Sequence, residues 1–494
     1  MNKPRALALL SISLAVLTAC STTSVPIAQE PSVTPGAIRP QSSTAVDVWV
    51  THPDRSRLIS WDGTKNFVND GNVTASTLTI NEGQTFQTME GFGASLTDSA
   101  GWLMWYRMSA AQRNNLIQSL FGFNDGNAGI SFLRIPLGGS DMAVTHYTYN
   151  DGTADPSLSR FSIGHDLTYI VPIARQAKTI NSSIRYMGTP WSPPAWMKDS
   201  GSLNYGKLKP EYYQTYANYL KKTYDAYNAQ GIRFNYMSVQ NEPRFEPGLD
   251  PDPAKRYPGT KYEWYDELNL VRYNVAPTFN GTGVKFLTLD HNWDLGWYAD
   301  AVLREGSAYY EGSAWHCYAG DTSTMVSTTT YFRNTYPNKG IFFTECSGTF
   351  EHNNFGDNLK WNMQNLFIGG TKNGAKTVAL WSLAQDPYGN PHLGGCGNCR
   401  GVVTINQSNG AVTLNEEFYS IAHFARFVWP GAVRIGSTDS SDGKFTGVAF
   451  RNTNGSKALV VLNQSSSTAT FKMVWNGKSI QQTLPAKGVA TVFW

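Results

Sequence analysis

Two apolar runs in this chain end in the same way. Phe234-Asn235-Tyr236-Met237-Ser238-Val239-Gln240 is rich in aromatic and β-branched residues and stops at Asn241-Glu242-Pro243, where the proline removes a ladder donor. Gly340-Ile341-Phe342-Phe343-Thr344 is a short, wholly apolar run, as expected of a strand buried on both faces, and it ends at Glu345. A carboxylate thus stands at each of two strand tips. Further apolar runs lie at 89–94, 130–136, 184–188, 284–289, 313–318 and 378–382, which makes eight strands in all. Helical patterns separate them: over 212–228, Tyr213, Tyr216, Ala217, Leu220 and Tyr224 fall on one face. Eight alternating strand and helix units predict a parallel (β/α)8 barrel, an α/β fold whose site lies at the C-terminal ends of the strands. Glu242 and Glu345 sit there, on the fourth and seventh strands.

Outside the barrel the period changes to two. Residues 46–50, 58–61 and 78–80 alternate between Asp-Gly turns, and 446–451, 458–463, 468–475 and 489–494 do so again after a last barrel helix at 416–428. Each block is too small to bury a face alone, so the two are expected to pair into one discontinuous β-sandwich. The expected boundaries are 46–88 for the N-terminal strands, 89–430 for the barrel and 431–494 for the C-terminal strands.

A length of 494 residues suits a barrel with a satellite domain. The net charge of +3 with only 16% charged residues excludes the basic face that nucleic acid would require. Aromatics make up 13% of the chain, and rings that lie flat on sugar faces are one use for the surplus. Trp196, Trp293, Trp297 and Tyr388 are candidate platforms of this kind, with core packing as the competing use.

Residues 1–20 read as an export signal: Lys3 and Arg5, an apolar run too short to span a bilayer, then Leu17-Thr18-Ala19-Cys20. The last four resemble a bacterial lipobox, which makes Cys20 the expected lipidation site. The Ser-, Thr- and Pro-rich stretch 21–45 is the expected disordered tether. With Ser21 following, the expected destination is the outer membrane or cell surface, or the medium if the lipobox is not used. Membrane contact is then through the anchor alone. Cys396-Gly397-Asn398-Cys399 has CxxC spacing with no second pair to complete a zinc site, and a local disulfide is expected. Cys317 and Cys346 could be bridged neighbours or buried free thiols. His, Asp and Glu do not cluster at ligand spacing along the chain, so neither metal nor cofactor is expected.

Two carboxylates on one rim are the minimum set for cleaving an acetal with retention, standing ~5–5.5 Å apart across the bond. Asn241-Glu242-Pro243 matches the acid/base signature of the large glycosidase superfamily built on this barrel. Glu90-Gly91-Phe92-Gly93-Ala94, Leu133-Arg134-Ile135-Pro136-Leu137-Gly138-Gly139-Ser140-Asp141, Thr189-Pro190-Trp191-Ser192-Pro193-Pro194, Trp315-His316-Cys317-Tyr318 and Thr344-Glu345-Cys346-Ser347-Gly348 together resemble glycoside hydrolase family 30. The resemblance spans nearly all of 46–494. It implies Glu242 as general acid/base, protonated at rest, and Glu345 as nucleophile, held ionised by Arg134. It implies Asn241 on the sugar 2-hydroxyl, Tyr318 and His316 around Glu345, and Asp141, Trp191 and Trp381 around the sugar before the cut. Gly394-Gly395-Cys396-Gly397-Asn398-Cys399-Arg400-Gly401 looks most like the β-1,6-glucanase branch. The implied function is therefore a monomeric, preferably endo-acting β-1,6-glucanase on a polysaccharide substrate. An exo-acting glucosylceramidase or β-glucosidase and a xylanase or galactanase are alternatives within the family. A glycan-binding surface lipoprotein is the alternative without catalysis.

Overall fold

A computed structural model describes residues 44–494. The expected signal at 1–20, the lipidation site Cys20 and residues 21–43 of the expected tether lie outside the described residues. In chain order the strands are β1 (Ala45–Thr51), β2 (Ser60–Asn66), β3 (Thr77–Thr88), β4 (Gly91–Ser95), β5 (Phe132–Leu137), β6 (Arg185–Pro190), β7 (Phe234–Met237), β8 (Lys285–Asn292), β9 (Gly312–His316), β10 (Gly340–Glu345), β11 (Gly348–Thr349), β12 (Ala375–Ser382), β13 (Ala384–Gln385), β14 (Cys399–Arg400), β15 (Val403–Ile405), β16 (Val412–Leu414), β17 (Val433–Ser437), β18 (Phe445–Arg451), β19 (Lys457–Asn463), β20 (Ala469–Trp475), β21 (Lys478–Leu484) and β22 (Val489–Phe493).

Eight of them, β4 to β10 and β12, close into a parallel barrel, each paired in parallel with its neighbours. Phe132, Met187, Tyr236, Leu287, Ala314, Phe342 and Ala379, one from each of seven strands, form a buried cluster of their own. This is the side-chain plug that makes such a barrel a core rather than a pore. The long amphipathic pattern becomes the helix Tyr213–Ala229, whose Tyr216, Ala217, Leu220 and Tyr224 are buried.

The flanking strands form one continuous sheet in the order β2-β1-β22-β19-β18-β17-β3-β20-β21. It folds over on itself: Val68, just past β2, makes a bridge with Ser479 in β21. Alternation then decides the packing, because successive side chains on a strand point to opposite faces. Val46, Val48 and Val50 of β1 turn into the sandwich core with Phe445, Leu459, Val461, Phe471 and Ala490. Trp49, Val448, Phe450, Val460 and Phe493 turn the other way and join the barrel core, where Phe424 and Phe427 stand against Phe450 and Phe493. The discontinuous sandwich expected from the two terminal blocks is thus present. Strands β17 and β21 had no counterpart in the pattern: Arg434 interrupts the first, and the second, at the sheet edge, is broken by the adjacent Gln481 and Gln482.

Candidate active site

The barrel rim is built where the regular ladder breaks. Strand β7 stops at Met237, three residues before the apolar run does; Asn241 N–H then bonds the Pro190 carbonyl at 2.8 Å and Glu242 N–H the Asp290 carbonyl at 3.0 Å. Glu242 takes a left-handed backbone, φ 49°, which a residue with a side chain adopts only when its surroundings impose it. Strand β8 runs three residues past the expected end at Leu289, with a bulge between Leu289 and His291 and positive φ at Leu289 and Asp290. Bulges next to active sites re-aim side chains. Here the bulge directs Asp290 into the barrel axis and His291 into the cleft. Glu345 is the last residue of β10, level with His316 of β9.

These tips converge on Arg134, which is wholly buried in β5. Its Nη1 donates to Oε2 of Glu345 at 2.5 Å, and its Nη2 donates to Oδ1 of Asn241 at 2.7 Å and to Oδ2 of Asp290 at 2.9 Å. The guanidinium also lies 5.1 Å from the ring centre of Trp191 and 5.6 Å from that of Trp381, two indoles stacked 5.2 Å apart. Tyr318 donates its hydroxyl to Oε1 of Glu345 at 2.9 Å; nearly half of the residue faces solvent while the hydroxyl points inward. His316 bridges the rest. Its Nε2 is 3.0 Å from Asp290, and its Nδ1 is 3.0 Å from Oε1 of Glu242 and 3.9 Å from Oε1 of Glu345. One ring nitrogen therefore reaches both glutamates, and their oxygens can be no farther apart than those two distances combined.

Charge explains the protonation. Burial works against a charged His316, but the charge of Glu345 and the bonds to Asp290 and Glu242 prevail, and its pKa rises to about 9. The ring is an imidazolium at neutral pH, donating from both nitrogens. Asp290 overcomes its own burial through Arg134 and His316 and is held well below the usual carboxylate range. Burial pushes Glu242 up, yet the rings of His291 and His316 outweigh it and hold it below its ordinary value. Burial also raises Glu345; His316 and Arg134 pull it back without cancelling the rise. The bond to Asp290 stabilises the imidazolium beside Glu242, and Glu242, His316 and Glu345 titrate as one cluster.

A cleft of about 620 Å³ opens over this cluster. Asp141, Trp191, Asn241, Glu242, Tyr318, Glu345 and Trp381 all line it, and Arg134 and His316 lie buried beneath, bonded to them, so the structure brings every expected catalytic and substrate-binding residue together. Asp141 is raised to about 7, by burial first and then by the charges of Glu345 and Glu242. Gly395 packs on it so closely that a Cβ there would stand 2.4 Å from the Asp141 Cβ, and φ is +61°, so only glycine fits. Cys396 and Cys399 are disulfide-bonded, as expected, and both line the cleft; Cys317 and Cys346, left open by the sequence, form a second bridge with Cα atoms 5.3 Å apart. None of the four candidate platforms borders the cleft. Trp293 is buried against Trp315, Trp196 donates to the Asn150 carbonyl, Trp297 stacks under Arg244, and Tyr388 is exposed elsewhere.

Asp290, His291, Asn292, Phe245, Lys255 and Tyr257 belong to the site and were not singled out from the sequence. The signal for the first three was at hand: Asp290-His291-Asn292 caps the fifth apolar run as Asn241-Glu242 caps the fourth. The chosen run ended at Leu289, one residue short of them.

Comparison with known proteins agrees with this site and fold. The model of the glycosyl hydrolase family 30 TIM-barrel domain matches residues 89–428, and that of the family 30 beta sandwich domain matches 431–492. The endo-1,6-beta-D-glucanase neg1 of Aspergillus fumigatus is 31% identical over 454 residues, covering 84% of this chain and 88% of its own. The endo-1,6-beta-D-glucanase BGN16.3 of Trichoderma harzianum is 32% identical over 401 residues, covering 76% of this chain and 78% of its own. Among solved structures, the endo-beta1,6-glucanase BT3312 superposes with a TM-score of 0.83 at 29% identity, covering 91% of this chain and 99% of its own.

Proposed function

Because this chain belongs to glycosyl hydrolase family 30, we propose that it hydrolyses β-1,6-glucan within the polymer, with retention, through Glu345 as nucleophile and Glu242 as general acid/base. The observation that carries this reading is the shared approach of His316 Nδ1 to both glutamates, which bounds the gap that one glycosidic bond must bridge. The named activities of the two fungal relatives and of BT3312 support the substrate.

In this reading Oε1 of Glu345, aligned by Arg134 and Tyr318 on its two oxygens, attacks the anomeric carbon and forms a glycosyl ester. The glycosidic oxygen leaves with a proton from Glu242, which is left ionised 3.0 Å from His316. Glu242 then takes a proton from water, which opens the ester and restores the site. Asn241, fixed by Arg134, receives the 2-hydroxyl of the sugar before the cut; Asp141 takes other hydroxyls, and Trp191 and Trp381 wall the subsite. The whole set comes from one chain, which supports action as a monomer. We also assign the N-terminal segment to export and lipid anchoring at Cys20, on the Leu17-Thr18-Ala19-Cys20 pattern.

The test is incubation with pustulan, a linear β-1,6-glucan, with chromatography of early products. Endo-action gives a ladder of oligosaccharides. Release of glucose alone, or no new reducing ends, contradicts the reading.

A further inference from the structure

Beside the glutamate pair, three donors that are remote in the chain come together. Oε1 of Glu242 lies 3.0 Å from Nδ1 of His316 and 3.6 Å from Nδ1 of His291, and one ligand atom from each of the three residues falls within 4.8 Å of the others. The contact to His316 is an ordinary hydrogen bond; the one to His291 is not. Nδ1 of His291 is buried and has no hydrogen-bond partner, although its ring is only 8% exposed and borders the cleft. A buried ring nitrogen left unpaired is costly. Its position beside a carboxylate and a second imidazole gives it a use.

We propose that Glu242, His291 and His316 form a three-donor site for a borderline divalent cation such as zinc, whose occupation withdraws the general acid and stops hydrolysis. Two imidazoles and one carboxylate are a set that suits zinc at ~2.0–2.2 Å, with a fourth position left for water. Glu242 and His291 both border the cleft, from which such a water would come. The second shell is also in place: the far nitrogen of His316 is bonded to the wholly buried Asp290, which is the carboxylate–histidine pairing that orients imidazole ligands and strengthens them. Charge favours a cation as well. Glu242, Glu345 and Asp141 line the cleft and Asp290 lies beneath, against the guanidinium of Arg134 and the ring of His316, whose Nδ1 proton a metal would displace. The ion would stand where the proton between Glu242 and His316 stands, so metal and general acid exclude one another. Among the described residues this is the one group of histidine, cysteine and carboxylate donors at such spacing.

The site follows from geometry and does not depend on which glycan is cut, so its test is made without glycan. Metal-stripped full-length protein is titrated with zinc chloride by calorimetry, and with cobalt chloride by visible absorption. The expected result is one ion per chain, an absorption band of four-coordinate cobalt that zinc displaces, and binding about tenfold or more weaker in His291→Ala, since loss of an outer-shell partner alone costs roughly that much. His52→Asn, on the sandwich, leaves binding unchanged. His291→Gln replaces His291→Ala if the latter does not fold. Binding no tighter than millimolar, or binding undiminished in the His291 variant, overturns the proposal.

Discussion

Nε2 of His316 stands 3.0 Å from Oδ1 of Asp290, and both side chains are sealed from solvent. From this pair the proton inventory of the site follows. Asp290 also accepts from Arg134, Ser238 at 2.8 Å and Thr344 at 2.7 Å, so it is the fixed anion against which His316 stays charged and Arg134 stays aligned. Asp290→Asn removes that anion and keeps the shape. The expected outcome is a fall in kcat of about 10²–10⁴-fold with little change in KM, because the lost group acts on proton transfer. The pH profile gives a second readout. His316 is raised to about 9, so its proton persists through neutral pH and is lost as pH climbs through that value. In Asp290→Asn the alkaline limb of kcat moves to lower pH; an unmoved limb would deny the Asp290–His316 pair its role.

The two glutamates are distinguishable by what rescues them. Glu345→Gly with azide should return an α-glycosyl azide, because azide then attacks from the face the nucleophile has vacated. Glu242→Gly with azide should return the β-azide from an activated aryl substrate, because the ester on Glu345 still forms. Nuclear magnetic resonance of the products reads the anomer directly, and the same anomer from both variants would contradict the assignment.

Cys399 shares a buried cluster with Met142, Trp191 and Trp381, Cys396 packs against it, and Gly395 N–H bonds the Lys255 carbonyl on the cleft lining. The bridge therefore braces one wall of the sugar site without touching the glutamates. Cys396→Ser with Cys399→Ser should raise KM several-fold and leave kcat within about twofold, since a wall that binds ground and transition states alike sets KM. Initial rates on pustulan over a concentration series check this split.

His423 is buried between Thr51 and Thr491, 2.8 Å from each hydroxyl, where a barrel helix meets the sandwich. Burial first and Arg426 second lower its pKa to about 3, far below the ordinary value of 6.5. The folded chain thus keeps this ring neutral where the unfolded chain protonates it. Stability conferred in this way is complete above pH 6.5 and falls on acidification, by about 1.4 kcal/mol per pH unit down to about 3. His423→Gln should be less stable at pH 7 by about 1–3 kcal/mol and should lose less on going to pH 5, as urea unfolding at the two pH values would show.

Much of this architecture is legible in the sequence, for identifiable reasons. The barrel strands announce themselves as apolar runs because both faces are buried, and Glu242 and Glu345 stand out because a carboxylate is abrupt at the end of such a run. The sandwich is readable from its period of two, apart from β17 and β21, whose edge or polar character blurs it. Asp290 and His291 were passed over because a bulge carries β8 beyond its apolar stretch, and a bulge has no period to read. The proton distribution of the site is not legible in the sequence for a different reason. It depends on three carboxylates from three strand ends meeting at one imidazole, and only the folded chain sets those distances.

The most direct test of the account is capture of the covalent intermediate. An activated 2-deoxy-2-fluoro gentiobioside slows both chemical steps, and a good leaving group lets the ester accumulate. Peptide mass spectrometry after brief incubation should find one sugar adduct, on the peptide carrying Glu345, abolished in Glu345→Gln. An adduct on Glu242 or any other carboxylate, or turnover with inversion and no adduct, would contradict the central claim that Glu345 is the nucleophile of a retaining glycosidase.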